Sequence, residues 1–131
     1  MMKKSNKKGF TLVELIVVIA IMAILAAVLV PTVTSKIKDA NVSAAISDIN
    51  AIASGIQADL ISLQSDNNNT TYLETAITTK ADANFGNCTV VYKAADATEA
   101  AHWEITHNKY SSDVTVGKVY ADGRIVNSTK A

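Results

Sequence analysis

Sixteen uninterrupted apolar residues, Leu15 to Val30, constrain this chain more than any other feature. Carried back to Phe10, the run has twenty-one residues, of which only Thr11 and Glu14 are polar. A helix spans a bilayer core with about 20 residues at ~1.5 Å each, so the length fits a membrane crossing. Lys3, Lys4, Lys7 and Lys8 precede the run with no acidic residue among them, and only Lys36 and Lys38 follow it closely. That imbalance predicts a cytoplasmic N-terminus, with the remainder of the chain outside the membrane. A secretory signal peptide is the plainer reading of a basic start and an apolar stretch. Its apolar region, however, is only about 7–15 residues long and closes on an A-x-A-like site. No Ala-x-Ala stands near Val30, and the run carries a glutamate. Ordinary signal cleavage is therefore disfavoured.

The rest of the composition narrows the function. At 131 residues one domain is the natural expectation. Twelve basic against twelve acidic side chains give zero net charge, which removes the basic footprint of a generic nucleic-acid binder. Without the four leading lysines, 8 basic against 12 acidic side chains leave about −4. Beyond the apolar run about a hundred residues remain, enough for a small core and too few for a large enzyme with a deep cleft. The single cysteine, Cys88, excludes an intrachain disulfide and any cysteine-built cluster, and two histidines leave little for a metal site.

Glu14 is the most informative residue of the run. A carboxylate inside a membrane helix costs on the order of 2.5–3.5 kcal/mol on insertion scales, and such residues usually have a partner. No basic residue lies within the run. Lys8 near its start would be drawn to the interface, away from Glu14. The partner must come from another chain, or from a group that the precursor does not yet have.

Lys7-Lys8-Gly9-Phe10-Thr11-Leu12-Val13-Glu14-Leu15 resembles the leader and processing site of type IV pilins and the related pseudopilins. The likeness covers residues 3 to about 35: a short basic leader, Gly before Phe, a glutamate four residues past that Phe, and a long apolar run. Pro31 stands where many of these proteins have a proline that bends or loosens the first helix. The resemblance implies cleavage between Gly9 and Phe10 by a prepilin peptidase, N-methylation of Phe10, and pairing of Glu14 with the α-amino group of a neighbouring subunit. Cleavage would thus create the missing cation, and a buried charge persists when it is paired.

Past Pro31, which removes a ladder donor and disfavours helix at the residue before it, the pattern becomes amphipathic. Val42, Ile46, Ile49, Ala53, Ile56, Leu60 and Leu63 recur at spacings of three and four, one apolar stripe. Asn50, Gln57 and Asp59 fall on the opposite, polar side, where cations are nearly absent, which disfavours an anionic lipid surface. Packing under a β-sheet is the expected use of the stripe. Ser65 to Thr71 reads as a polar loop. It is not an EF-hand, because the sixth and twelfth positions fall on Thr71 and Ile77 instead of Gly and Glu. Asn41, Asn68, Asn69, Asn87 and Asn127 match the N-x-Ser/Thr pattern, which an Asn- and Thr-rich chain meets by chance. Cys88–Lys93, His102–His107, Val114–Tyr120 and Arg124–Asn127 read as short strands, with Asp122-Gly123 as a hairpin turn.

The expected fold is α+β: a long N-terminal helix, membrane-spanning and then amphipathic, packed against a small antiparallel sheet. Its parts are a leader at 1–9, a transmembrane and assembly helix at 10–30, the amphipathic half at 31–64, and a loop and β-sheet head at 65–131. His102 and Glu104 share a strand face while His107 points to the other, so the three do not converge on a metal, and they read as ordinary surface residues. Cys88 reads as a small buried residue, since no basic neighbour would lower its pKa. No nucleophile elbow or phosphate loop is present.

The expectation is therefore a structural subunit and not an enzyme, without cofactor, metal or nucleic-acid partner. It would polymerise with itself through the N-terminal helix into a surface filament serving adhesion, motility or DNA uptake. Its other partners would be the prepilin peptidase and methyltransferase, the cytoplasmic membrane before assembly, and the assembly platform. A pseudopilin of a type II secretion or competence machine is the alternative. A membrane-anchored extracytoplasmic binding protein or enzyme is a more distant one.

Overall fold

The computed structural model describes residue 9 and residues 11–66, 70–84 and 86–131. Its elements run α1 (Leu12–Asp66), α2 (Thr70–Asn84), β1 (Cys88–Lys93), β2 (His102–His107), β3 (Gly117–Tyr120) and β4 (Ile125–Val126). The chain divides into two units, Met1–Lys38 and Asp39–Ala131, and α1 contributes to each.

In the first unit every described side chain from Thr11 to Lys38 is exposed. Leu, Ile, Val, Ala and Met dominate it, and no glycine interrupts the helical ladder. Pro31 lies inside α1, which continues without a break in its assignment. Proline supplies no N–H to the carbonyl four residues earlier. Side chains add donors around this turn: the Thr32 hydroxyl donates to the Val28 carbonyl at 3.1 Å, and that of Thr34 to the Val30 carbonyl at 2.9 Å.

In the second unit an antiparallel sheet of order β1-β2-β3-β4 lies against the amphipathic part of α1. β1 and β2 have the limits that alternation predicts, paired from Cys88↔His107 to Lys93↔His102. Val42, Ala45, Ile49, Ile52, Ala53, Ile56 and Leu60 of α1 are buried with Cys88, Val90, Trp103, Ile105 and Val119 of the sheet. Trp103 and Tyr92 pack with ring centroids 5.3 Å apart. Ile46 and Leu63, placed on the expected stripe, are only partly buried at its margin, while Ala45 and Ile52 join its centre.

One position sets how closely the sheet approaches the helix. Gly117 at the start of β3 faces Ile49, and a β-carbon added there would lie 2.5 Å from Ile49 Cγ2. The other glycine with a conformational role is Gly123, at φ +93°. It closes a loop of Ala121, Asp122 and Gly123, with Tyr120 N–H donating to the Arg124 carbonyl at 2.8 Å. A three-residue hairpin places its last residue in the left-handed region, which glycine enters at least cost.

The structure corrects the expected outline of the head in three places. The segment from Thr70 to Asn84 is a helix, α2, where loop and sheet were expected. Leu73 and Ile77, one helical turn apart, are buried in the common core, and that packing supports a helix rich in threonine. The third strand begins at Gly117, with Val114 held only by an isolated bridge to Lys130.

The third correction concerns the polar side of α1, which does not simply face solvent. Asn50 accepts from the Ser128 N–H at 2.8 Å and donates to its carbonyl at 3.4 Å. Gln57 donates to the Gly123 carbonyl at 2.6 Å and Gln64 to that of Ala121 at 2.8 Å. Two helical turns separate successive amides, so they form a row along one flank of the helix. Replacing Gln57 by Leu should lower head stability by about 1 kcal/mol, the usual net value of one such bond. Urea unfolding of the full chain in micelles measures it, and an unchanged midpoint would deny the bond a stabilising role.

Candidate functional site

The N-terminal site begins at the helix start. Gly9 is exposed and lies outside α1; Phe10 and the leader lysines fall outside the described residues. Thr11 caps the helix. Its hydroxyl accepts from the Glu14 N–H at 3.3 Å, while Glu14 Oε2 accepts from the Thr11 N–H at 3.1 Å. This reciprocal pair is a capping box, which satisfies two backbone donors that a helix start leaves open. The Thr-x-x-Glu pattern announces it in the sequence, but Glu14 drew attention there only as a charge. Of its two carboxylate oxygens, Oε2 is therefore engaged within its own chain.

From this cap onward the helix presents apolar side chains on all sides. Leu12, Ile16, Ile19, Met22, Leu25 and Leu29 are each at least half exposed, and α1 is long and apolar enough to cross a membrane. Such a surface needs lipid or protein against it. Ala20, Ala23, Ala26 and Ala27 interrupt the bulk and leave room for close approach by another helix.

Residues 4–30 match the prokaryotic N-terminal methylation motif. In its N-terminal segment the chain is similar to a type IV pilus component and to a type II secretion core protein. It is 64% identical over 36 residues to the type IV wide pilus major component PilA4 of Thermus thermophilus, a stretch covering 28% of each chain. It is 46% identical over 55 residues to the type II secretion system core protein G of Pseudomonas aeruginosa. That match covers 42% of this chain and 39% of the relative. The chain thus spans well under half the length of either relative. No solved structure matches it.

The second unit, Asp39–Ala131, holds two polar clusters of its own. On the outer face of the sheet, Glu99 accepts from Lys118 Nζ at 2.7 Å and from the Tyr120 hydroxyl at 2.5 Å. His102, expected at the surface, is instead buried at 3% exposure, with Nδ1 donating to the Ala100 carbonyl at 2.8 Å and Nε2 3.4 Å from Glu104 Oε1. The Lys118 hydrogen bond first, and then that of Tyr120, hold the Glu99 carboxyl below its ordinary 4.5. A carboxyl depressed in the folded state adds stability that is complete above its unfolded value and lost as pH falls through the folded one. Head stability should therefore decline on acidification below about pH 4.5, and Glu99→Gln should make that decline shallower. Chemical unfolding between pH 3 and 6 (the span bracketing ordinary carboxyl values) measures it, and parallel curves for the two proteins would refute the assignment.

The second cluster is on the helix-facing side. His107, expected at the surface, is 6% exposed. Its Nδ1 accepts from the Lys109 and Tyr110 N–H groups at 3.2 and 3.3 Å, closing the turn after β2. A ring nitrogen that accepts carries no proton, so the neutral ring has its hydrogen on Nε2. Nε2 lies 3.8 Å from Asp48 Oδ2 on α1. Cys88, the register partner of His107, is buried, and burial first and then the Asp48 charge push its thiol above the ordinary 9.0. A thiol so placed is a packing residue, as its sequence context suggested. His102 and His107 stand on opposite sheet faces, and among the described residues no three His, Cys, Asp or Glu side chains converge on a metal position.

Proposed function

We propose that this chain is the structural subunit of a type IV pilus-like surface filament. Residues 1–9 are a leader removed between Gly9 and Phe10, Phe10 is N-methylated, and residues 10–30 anchor the precursor and then assemble. The methylation motif at residues 4–30, ending in an apolar helix with nothing packed on it, carries this reading. Pro31 lets the amphipathic half, 31–64, change direction against the assembly half, and 65–131 is the exposed head. The N-terminus stays cytoplasmic and the head lies outside. Self-association, the peptidase and methyltransferase, and an assembly platform are the partners. The role is structural, with no catalytic group assigned.

The capping box suggests how the charge is handled. Cleavage frees an α-amino group one residue before the Thr11 N–H that Glu14 already caps. The carboxylate therefore waits at the point where a cation will appear. Oε2 holds the helix start while Oε1 is available to the amino group of a neighbouring subunit, an arrangement that lowers the cost of both charges in an apolar bundle.

A pseudopilin of a secretion machine is the second reading, favoured by the 55-residue likeness to core protein G. The intact mass of the chain in material sheared from cells separates the possibilities. A mass beginning at Phe10 with one added methyl, found in sheared filaments, is the expected result. The same mass confined to the membrane would indicate the pseudopilin. A full-length mass in the membrane alone would overturn both.

A further inference from the structure

We infer that His107 is an acid-sensitive latch: when its ring gains a second proton, the turn after β2 opens and releases the segment from Asn108 to Asp113. In the neutral ring Nδ1 accepts from the Lys109 and Tyr110 N–H groups at 3.2 and 3.3 Å. An imidazolium has a hydrogen on each nitrogen and accepts at neither. The second proton and the two turn bonds therefore compete for one lone pair.

Those bonds sit at the head of a longer run of turns. The Tyr110 carbonyl accepts from the Asp113 and Val114 N–H groups at 3.0 and 3.2 Å, and the Asp113 carbonyl from the Ala131 N–H at 2.9 Å. His107 covers the first N–H groups of this run, as a capping side chain does at a helix start. The end of the chain is fastened to the same segment, so opening at Lys109 and Tyr110 loosens both.

The charges decide which part moves. Nε2 lies 3.8 Å from Asp48 Oδ2 of α1, an ion pair once the ring is charged. The His107 side chain is 8% exposed and that of Asp48 is 50% exposed. A carboxylate so open to water gains little from pairing, too little to replace two N–H acceptors. It does give the charged ring a partner where the ring already stands, so the turn leaves and the ring stays. The other titratable groups around the ring are Cys88 of β1, its register partner, and Lys109 and Tyr110 of the turn. Burial keeps the Cys88 thiol protonated, and lysine and tyrosine hold their charge states in mild acid. The turn bonds are thus complete while the ring is neutral and are lost as pH falls through its titration. An ordinary histidine titrates at about 6.5, well above the range in which the Glu99 carboxyl acts.

The test uses the full chain, isotope-labelled in detergent micelles, between about pH 7.5 and 5, a span that brackets the histidine range. Ring nitrogen shifts report where the hydrogens are, and amide exchange, corrected for its intrinsic rate at each pH, reports opening. Closing the turn requires losing the second proton, at a cost of about tenfold per pH unit below the titration. Protection at Lys109 and Tyr110 should therefore fall about tenfold or more by pH 5, while Ile105 in β2 keeps its own. His107→Asn retains an acceptor oxygen and does not titrate, so it should remove the fall. His102 stays in that variant and serves as the control for the opposite sheet face. Asp48→Asn should move the fall to lower pH, and it provides the comparison if His107→Asn does not fold. A hydrogen on Nδ1 at neutral pH would overturn the inference. So would a second proton gained without loss of protection, or none gained by about pH 5. An equal loss at Ile105, or a fall that persists in folded His107→Asn, would do the same. The readout does not depend on filament formation, so it stands or falls apart from the proposed assembly role.

Discussion

Glu14→Ala should reduce filament yield at least tenfold while the precursor still inserts in the membrane. The substitution removes the carboxylate that would face a new α-amino group, and a buried charge deprived of its partner costs about 3–5 kcal/mol. It also removes the acceptor for the Thr11 N–H, a cap generally worth about 1 kcal/mol. Glu14→Gln separates the two effects, because glutamine serves the capping box and carries no charge. If assembly needs the charge, the Gln and Ala variants should be equally deficient in filaments, with both recovered from the membrane. Filaments from Glu14→Gln at the normal level would leave the cap as the only function of this residue. Filaments from both would remove Glu14 from assembly altogether.

Gly117→Ala should destabilise the head by about 1–3 kcal/mol, the usual cost of an inserted methyl in a packed core. The added carbon would lie 2.5 Å from Ile49 Cγ2. Since Ile49 is fully buried between helix and sheet, the pressure falls on the helix–sheet spacing itself. A larger loss should follow from Gly117→Val. The double change Gly117→Ala with Ile49→Ala should lose less than the sum of the two single changes, because one deletion makes room for the other addition. Denaturant midpoints of the four proteins decide the matter. Strict additivity would show that the backbone yields elsewhere and that Gly117 does not set the spacing.

Much of this architecture was legible in the residues because the forces involved repeat at short periods. The strands at Cys88 and His102 have limits set by alternating β-branched and aromatic residues, and the structure places them where alternation does. The stripe from Val42 to Leu63 identified the buried side of α1 without locating its centre. Ala45 and Ile52 are buried beside Ile49, the residue that packs against Gly117 of β3. α2 escaped notice because its helical signal is only Leu73 and Ile77, set among threonines after an asparagine run. Its stability comes from packing, which a local pattern does not register.

The site residues divide along the same line. The likeness at Gly9 to Glu14 was readable because the methylation motif over residues 4–30 is a pattern of the local sequence. The capping box was readable too, had the Thr-x-x-Glu pattern been weighed beside the charge. The burial of His107 was not. It follows from a ring that folds back on the N–H groups of Lys109 and Tyr110 and from a helix that brings Asp48, about 60 residues away in the chain, beside it.

The three amides on α1 have a consequence for how such a head can vary. Asn50, Gln57 and Gln64 take hold of main-chain atoms of Ser128, Gly123 and Ala121. Main-chain atoms are offered by every residue type, so apart from Gly123, whose conformation favours glycine, this attachment is indifferent to which side chains the final segment carries. Its outward positions, such as Asp122, Arg124, Val126 and Asn127, are exposed and can be exchanged without loosening the anchor. The molecule thereby separates what fastens this segment from what it displays, and a change of surface identity need not be a change of scaffold.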